Sequence, residues 1–129
     1  MFIYALQDNF PAIQISTLIV IRQASNVATI KGELRFYSGF RLHVRDVVRF
    51  DRVSPQLSRY GYEVWHGDEK LYWYDSQAHP NDPILASTHP HHKHTPPDIK
   101  HHRIPAPELS FTEPNLPFLI QEIEQLLKG

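Results

Sequence analysis

A chain of 129 residues, 41% of them apolar and 21% charged, has the size and composition of one globular domain. It contains no cysteine, which excludes disulfides, thiolate metal sites and a cysteine nucleophile. The formal net charge of -1 argues against a generally basic nucleic-acid-binding protein. No apolar run approaches the roughly 18 residues of a membrane span, and the first residues lack the pattern of a signal peptide. We therefore expect a single cytoplasmic domain over residues 1–129 that does not enter a membrane.

In residues 1–77, apolar and polar side chains alternate with the period of two that is typical of antiparallel strands. After a short N-terminal helix or turn, this pattern predicts a β-meander of about five strands. Ser38-Gly39 and Gly67-Asp68 fit the tight turns of two hairpins. Asp46-Val47 interrupt the alternation, and we expect a bulge there. The predicted strands are 17–22, 28–37, 40–50, 60–66 and 71–75.

The pattern changes after residue 77, because nine of the chain's 11 prolines lie between residues 78 and 117. No periodicity survives there, so we predict a long Pro/His-rich loop over residues 78–114. Residues 115–128 then repeat apolar side chains at helical spacing, with Asn115 as the cap and Pro117 in the first turn. The expected fold class is α+β: an antiparallel sheet of about five strands, with the C-terminal helix packed on one face and the loop across the end of the sheet.

Histidine is the residue in excess: six of the nine histidines lie between residues 89 and 102. Imidazoles titrate near neutrality and suit proton transfer. Metal-independent RNA cleavage needs a base for the 2′-hydroxyl, an acid for the leaving oxygen and a cation for the phosphate. The segment from His92 to His94, with His79 nearby, contains all three kinds of group.

Two other interpretations of the same segment remain open. The histidines could be metal ligands, with His89, His91, His92 and His94 as the candidates and His79 or Asp75 completing a site, although no recognised zinc spacing is present. They could also be solvated side chains of an inert polar loop.

Four arginines, Arg35, Arg41, Arg45 and Arg49, fall on the polar side of two predicted strands. Such a face could follow a phosphate backbone. It could equally be the solvated side of a half-buried sheet. The aromatic residues between positions 60 and 74 could stack on bases, but cross-strand packing is the more common use of aromatics in strands.

Several segments resemble the TumE-type toxins of bacterial toxin–antitoxin pairs. The resemblance covers residues 32–44, Tyr60-Gly61-Tyr62, and a block of Tyr74, Asp75 and His79 followed by residues 90–94. Trp73 and Ser76 depart from the family pattern, which usually has arginine and asparagine there. The resemblance implies a growth-inhibiting toxin, neutralised by a helix-turn-helix antitoxin, with RNA as its expected target.

Together, the residues and the resemblance predict a ribonuclease toxin without a cofactor. We expect His92 and His94 to be the acid and base pair and Lys93 to contact phosphate. His79 would be a third participant, Tyr74 and Asp75 orienting groups, and Arg45 and Arg49 contacts to the RNA backbone. The histidines are expected at the surface, so that alanine there should leave stability nearly unchanged. The rival functions are a non-catalytic, degenerate toxin that still binds an antitoxin, and a metal-binding domain. The oligomeric state is open, a homo-oligomer included.

Overall fold

The computed structural model describes residues 2–51 and 53–129 as an α+β fold. Its helices are α1 (Phe2–Asn9) and α2 (Leu116–Lys128), with short 3-10 turns at Tyr37–Gly39 and Pro83–Thr88. Its strands are β1 (Ile13–Ser16), β2 (Ile19–Ala24), β3 (Val27–Phe36), β4 (Phe40–Arg49), β5 (Gln56–His66), β6 (Glu69–Asp75), β7 (His92–His94) and β8 (Arg103–Pro105). Neither described helix is long and apolar enough to cross a membrane.

The sheet has eight strands, so the expected number of about five is too low. Its order is β1-β3-β4-β5-β6-β7-β8, with β2 also paired to β3, and every pair is antiparallel. The strand expected at 17–22 corresponds to β2, with its bounds shifted by two residues, whereas β1 was not expected. Strands β7 and β8 lie within residues 78–114, where only a loop was expected. They have three residues each, too few for a period of two to show, and they form because β6 offers an unpaired edge to β7.

The expected hairpin turns are confirmed. Ser38 has a positive φ of 61° between β3 and β4, and Gly67 has a φ of 59° between β5 and β6. The β4–β5 register shifts between Val47 and Val48, next to the interruption seen in the sequence. Tight turns of this kind keep neighbouring strands in register, and that register decides which side chains share a face.

Helix α2 packs on one face of the sheet, which we call the core face. Leu116, Leu119, Ile120 and Ile123 are buried in the same cluster as Tyr62. Burying each such aliphatic side chain contributes roughly 1.5–3 kcal/mol. Asn115 precedes the helix but does not cap it through its side chain. Its amide nitrogen instead donates to the Ser110 carbonyl and the Tyr62 hydroxyl, tying the helix start to the sheet.

Candidate active site

The pairing of β6 with β7 brings the site together. Asp75 lies opposite His92, and Trp73 lies opposite His94. Because side chains alternate between the faces of a strand, all four point away from α2, onto what we call the outer face. Tyr74 and Lys93, the residues between them, point to the core face.

Asp75, His92 and His94 converge at short distances. His92 Nε2 lies 2.9 Å from Asp75 Oδ1, and His94 Nε2 lies 3.2 Å from Asp75 Oδ2. The two Nε2 atoms are 3.1 Å apart. Trp73 Nε1 and the Gln77 backbone N–H also donate to Asp75, at 3.0 and 2.9 Å. We call Asp75, His92 and His94 the Asp-His-His cluster.

The other ring nitrogens of the two histidines define their tautomers. His92 Nδ1 lies 2.9 Å from the Pro90 carbonyl oxygen, and His94 Nδ1 lies 2.9 Å from the Ile99 carbonyl oxygen. A carbonyl oxygen only accepts, so each Nδ1 carries a hydrogen. The neutral form of each ring therefore directs an unprotonated Nε2 into the cluster.

The electrostatics of the cluster shift the pKa values of its two imidazoles in opposite directions. Burial acts against the charged form of His92, but hydrogen bonds to Asp75 and the Pro90 carbonyl raise its pKa above the ordinary value. Burial outweighs the attraction of Asp75 at His94 and lowers its pKa. Burial also acts to raise the pKa of Asp75, yet the hydrogen bonds from His92, Trp73 and Gln77 hold it well below its usual value. One proton shared between two rings is the state an acid and base pair requires.

The two rings are not at the surface, so that expectation is wrong. His92 is 1% exposed and His94 4%. The Trp73 ring stacks on His94 with centroids 4.0 Å apart. The His79 ring is nearly perpendicular to the His92 ring, with centroids 4.8 Å apart. The segments on either side of β7 contact these rings, through the carbonyls of Pro90 and Ile99. The prediction of an open loop over residues 78–114 did not include such burial. Asp75 remains the accessible member, with 24% of its side chain exposed.

A cavity of about 480 Å³ adjoins the cluster on the outer face. Asp75 and Trp73 form one side of it, and Lys31 and Arg45 lie along another. Gly61, in register with both Arg45 and Asp75, forms its floor. A Cβ at Gly61 would meet no heavy atom within 4 Å, so the space above this floor is open. Glu33 and Glu63 also line the cavity, but each is paired with a cation, Glu33 with Arg35 and Arg41 and Glu63 with Lys70. The exposed cations beside the Asp-His-His cluster therefore leave room for a phosphate-containing ligand.

Arg103 is a further cation, on the other side of the cluster. It lies opposite His94 in the β7–β8 pair. Its guanidinium lies 3.5 Å from His79 Nε2 and 3.9 Å from the Asp82 carboxylate. Its Nε is buried without a hydrogen-bond partner among the described residues. A buried donor left unsatisfied in this way is uncommon in folded proteins.

Two predicted site residues lie on the wrong face for the roles expected of them. The Lys93 ammonium lies 3.4 Å from Glu122 of α2 and above the Tyr72 ring. The Tyr74 hydroxyl also donates to Glu122, at 2.9 Å, and the ring is buried. Neither Lys93 as a phosphate contact nor Tyr74 as an orienting group fits this placement, because alternation along the strand separates them from the cluster.

The set of residues that could bind a metal differs from the one predicted for the metal alternative. His89 is exposed outside the cluster, and His91 stacks on Tyr60 and hydrogen-bonds its hydroxyl. Only His92 and His94 of the four candidates converge, and Asp75 is the residue that completes a three-ligand group.

The arginines also divide. Arg45 lines the cavity, whereas Arg49 pairs with Asp51 and does not. Arg35 and Arg41 both contact Glu33, as on a solvated sheet face.

Sequence reasoning missed Lys31, Gly61 and Arg103. The register of the Gly32–Val44 hairpin against Tyr60-Gly61-Tyr62 was the signal that could have placed Lys31 and Gly61 beside Arg45. Nothing in the sequence marked Arg103, because the strand that positions it was not foreseen.

Among known families, the model described as Toxin TumE matches residues 5–127, nearly the whole chain. No curated protein and no solved structure matches the chain. The family match includes the strands, the His-rich segment and almost all of α2, and the resemblance seen in the motifs is confirmed.

Proposed function

The chain belongs to the TumE toxin family, and from that premise we propose that it inhibits bacterial growth by cleaving RNA on the outer face of its sheet. One observation carries the proposal: the Asp-His-His cluster lies beside an open cavity lined by Lys31 and Arg45. Toxin action as a ribonuclease requires both a reactive group and a place for the phosphate backbone, and the two adjoin at Asp75.

RNA binding would rest on charge and stacking. Lys31 and Arg45 are exposed, and no acidic side chain lies within 4 Å of either among the residues that the structure describes. Such cations attract phosphates without competition from an internal partner. Trp73 borders the same cavity, but its ring already stacks on His94 and lies 4.4 Å from the Lys70 ammonium, so a base would stack there by displacing Lys70.

Cleavage would follow the chemistry of the ribose. The 2′-hydroxyl loses its proton to the cluster, its oxygen attacks the adjacent phosphorus, and the 5′-oxygen leaves with a proton. The products are a 2′,3′-cyclic phosphate and a 5′-hydroxyl. Lys31 and Arg45, the exposed cations of the cavity, would stabilise negative charge on the phosphorane.

The two departures from the family pattern are compatible with this role. Trp73 stands where arginine is usual, and its indole N–H donates to Asp75 as an arginine N–H could. Ser76 replaces asparagine, and its hydroxyl accepts from the Tyr60 backbone N–H at 3.0 Å. Both substitutes retain a hydrogen bond at the cluster or beside it. Membership of a toxin family implies a neutralising antitoxin, which we propose to be of the helix-turn-helix class.

The test is induced expression of the wild type and of Asp75→Asn, followed by mapping of RNA ends. We expect growth arrest with new 5′-hydroxyl ends for the wild type, and neither for the variant. Purified protein should cleave an RNA oligonucleotide and leave intact the same oligonucleotide with a 2′-deoxy substitution at the scissile nucleotide. Growth arrest without RNA cleavage, or cleavage of the deoxy substrate, would contradict the proposal.

A further inference from the structure

We propose that Asp75, His92 and His94 bind one divalent first-row transition metal ion, of which zinc is the best fit to two imidazoles and a carboxylate. This inference rests on the geometry of the cluster and does not depend on RNA cleavage. It narrows the sequence-based metal set, in which His79 or Asp75 could complete the site, to Asp75, His92 and His94 and leaves out His89 and His91.

The distances within the cluster match the edges of a coordination polyhedron. Zinc binds imidazole nitrogen and carboxylate oxygen at about 2.0–2.2 Å. Ligand atoms around such an ion are then separated by roughly 2.9–3.4 Å for octahedral to tetrahedral angles. The two Nε2 atoms are 3.1 Å apart, and each faces one oxygen of Asp75, His92 Nε2 at 2.9 Å from Oδ1 and His94 Nε2 at 3.2 Å from Oδ2. Protein ligands preset at these distances need little rearrangement to bind the ion.

The hydrogen bonds around the cluster are those that orient metal ligands. Metal-binding histidines commonly donate their other ring N–H to a backbone carbonyl or carboxylate, and ligating carboxylates are themselves hydrogen-bonded. Both histidines donate from Nδ1 to carbonyls, of Pro90 and Ile99. Asp75 accepts from Trp73 and Gln77. Every one of the three side chains is therefore held with its ligand atom facing the other two.

A cation at the centre of the cluster would be stabilised by the electron pairs that face one another there. With both Nδ1 atoms protonated, two buried Nε2 lone pairs and a carboxylate face one another. One proton satisfies the contact of a single ring, whereas a divalent ion accepts electron pairs from both rings and from Asp75 at once. Deep burial of the two rings also shields a bound ion from bulk water.

Three protein ligands leave a coordination position open, which is the pattern of catalytic rather than structural sites. Asp75, the accessible ligand, borders the cavity that Lys31 and Arg45 line. A bound ion at this border would supply a Lewis acid or a metal-bound hydroxide to a substrate in the cavity.

The experiment uses full-length protein stripped with chelator and titrated with Zn²⁺ by calorimetry and with Co²⁺ by visible absorption. We expect one ion per chain. Asp75→Asn should abolish stoichiometric binding. Trp73→Phe, which keeps the stacked ring and removes the donor to Asp75, should weaken binding roughly 10-fold. Circular dichroism of the metal-free variants checks that they fold, and Asp75→Asn is suited to this because it preserves shape and an acceptor oxygen.

The matched control is His101→Gln. His101 and Asp98 also form a His–Asp contact of 2.9 Å, but both are exposed and far from any third ligand in the described structure. The control should bind one ion with unchanged affinity. Nitrogen chemical shifts should move at His92 and His94 on adding Zn²⁺ and stay unchanged at His101. Binding that survives Asp75→Asn, falls equally in His101→Gln, or is never stoichiometric for either ion overturns the proposal.

Failure of this inference and failure of the proposed function are distinguishable. A protein that binds one ion at the cluster and leaves RNA intact retains the metal site and loses the ribonuclease. A protein that binds no ion and cleaves RNA in chelator retains the ribonuclease and loses the metal site.

Discussion

Asp46 lies buried on the core face of the sheet and Asp75 partly exposed on the outer face, and the pKa values of these two carboxylates shift in opposite directions. Asp46 on the core face accepts a hydrogen bond from the Tyr62 hydroxyl and has no cation beside it, so burial raises its pKa to about 6. Asp75 on the outer face is held by His92, Trp73 and Gln77, and its pKa falls well below the usual value. Hydrogen-bond donors around the carboxylate and a protonatable imidazole beside it, rather than burial alone, decide which carboxylate stays ionised. The core face thus packs against α2, and the outer face holds the Asp-His-His cluster.

The largest expected effect comes from breaking the outer face with His92→Ala. Growth inhibition should be lost, and the free energy of unfolding should fall by about 2–4 kcal/mol, because a buried ring is removed and Asp75 loses a partner. Denaturant unfolding and induced growth measure the two effects. His89→Ala, at an exposed histidine, is the control and should change stability by less than about 0.5 kcal/mol. A His92→Ala protein as stable as the wild type would show that the buried placement of this ring is not used for stability.

The core-face carboxylate predicts a pH effect of similar size. The folded pKa of Asp46 is raised from 3.8 to about 6. Its contribution to stability is therefore fully present below about pH 4 and is lost as the pH rises through about 6. In Asp46→Asn this dependence should disappear, so the difference in unfolding free energy between variant and wild type should change by roughly 3 kcal/mol between pH 4 and pH 7. Parallel urea titrations across that range test it, and identical pH profiles for the two proteins would show that Asp46 keeps an ordinary pKa.

A smaller effect on stability is expected at Tyr74, which lies on the core face next to Asp75 of the outer face. Tyr74→Phe removes the hydroxyl that donates to Glu122 and should lower the free energy of unfolding by about 1–2 kcal/mol. RNA cleavage per folded molecule should stay unchanged, because the ring lies on the core face. A loss of cleavage with stability intact would restore the orienting role that the sequence suggested for Tyr74.

The smallest expected effect distinguishes two arginines of one strand. Arg45→Ala should weaken RNA binding by about 1 kcal/mol and reduce the salt dependence by about one phosphate contact. Arg49→Ala is the matched control, since Arg49 pairs with Asp51 outside the cavity. Binding measured at several salt concentrations compares them. Equal losses in the two variants would mean that RNA follows the whole strand rather than the cavity.

The alternation of β3 to β6 was predictable because one face of each strand is buried, and the C-terminal helix was predictable from its apolar stripe. Within the candidate site, the sequence pointed correctly to the placement of Asp75, His92 and His94 near one another, though it could not state their roles. Lys93 and Tyr74 were misplaced for a single reason: in a segment taken as a loop, neighbours in sequence are treated as neighbours in space. Once β7 pairs with β6, alternation sends every second side chain to the opposite face.

Family membership, fold class and the segment that holds the cluster follow from the sequence by itself, because they rest on local patterns and residue types. The strands β1, β7 and β8, the burial of the two imidazoles and the position of Arg103 depend on tertiary structure. Short strands such as β7 and β8 have no local signal, and they exist only because the edge of β6 leaves backbone hydrogen bonds to be satisfied. The tautomers of His92 and His94 have the same origin, since carbonyls brought in by the folded chain, at Pro90 and Ile99, fix which nitrogen faces Asp75.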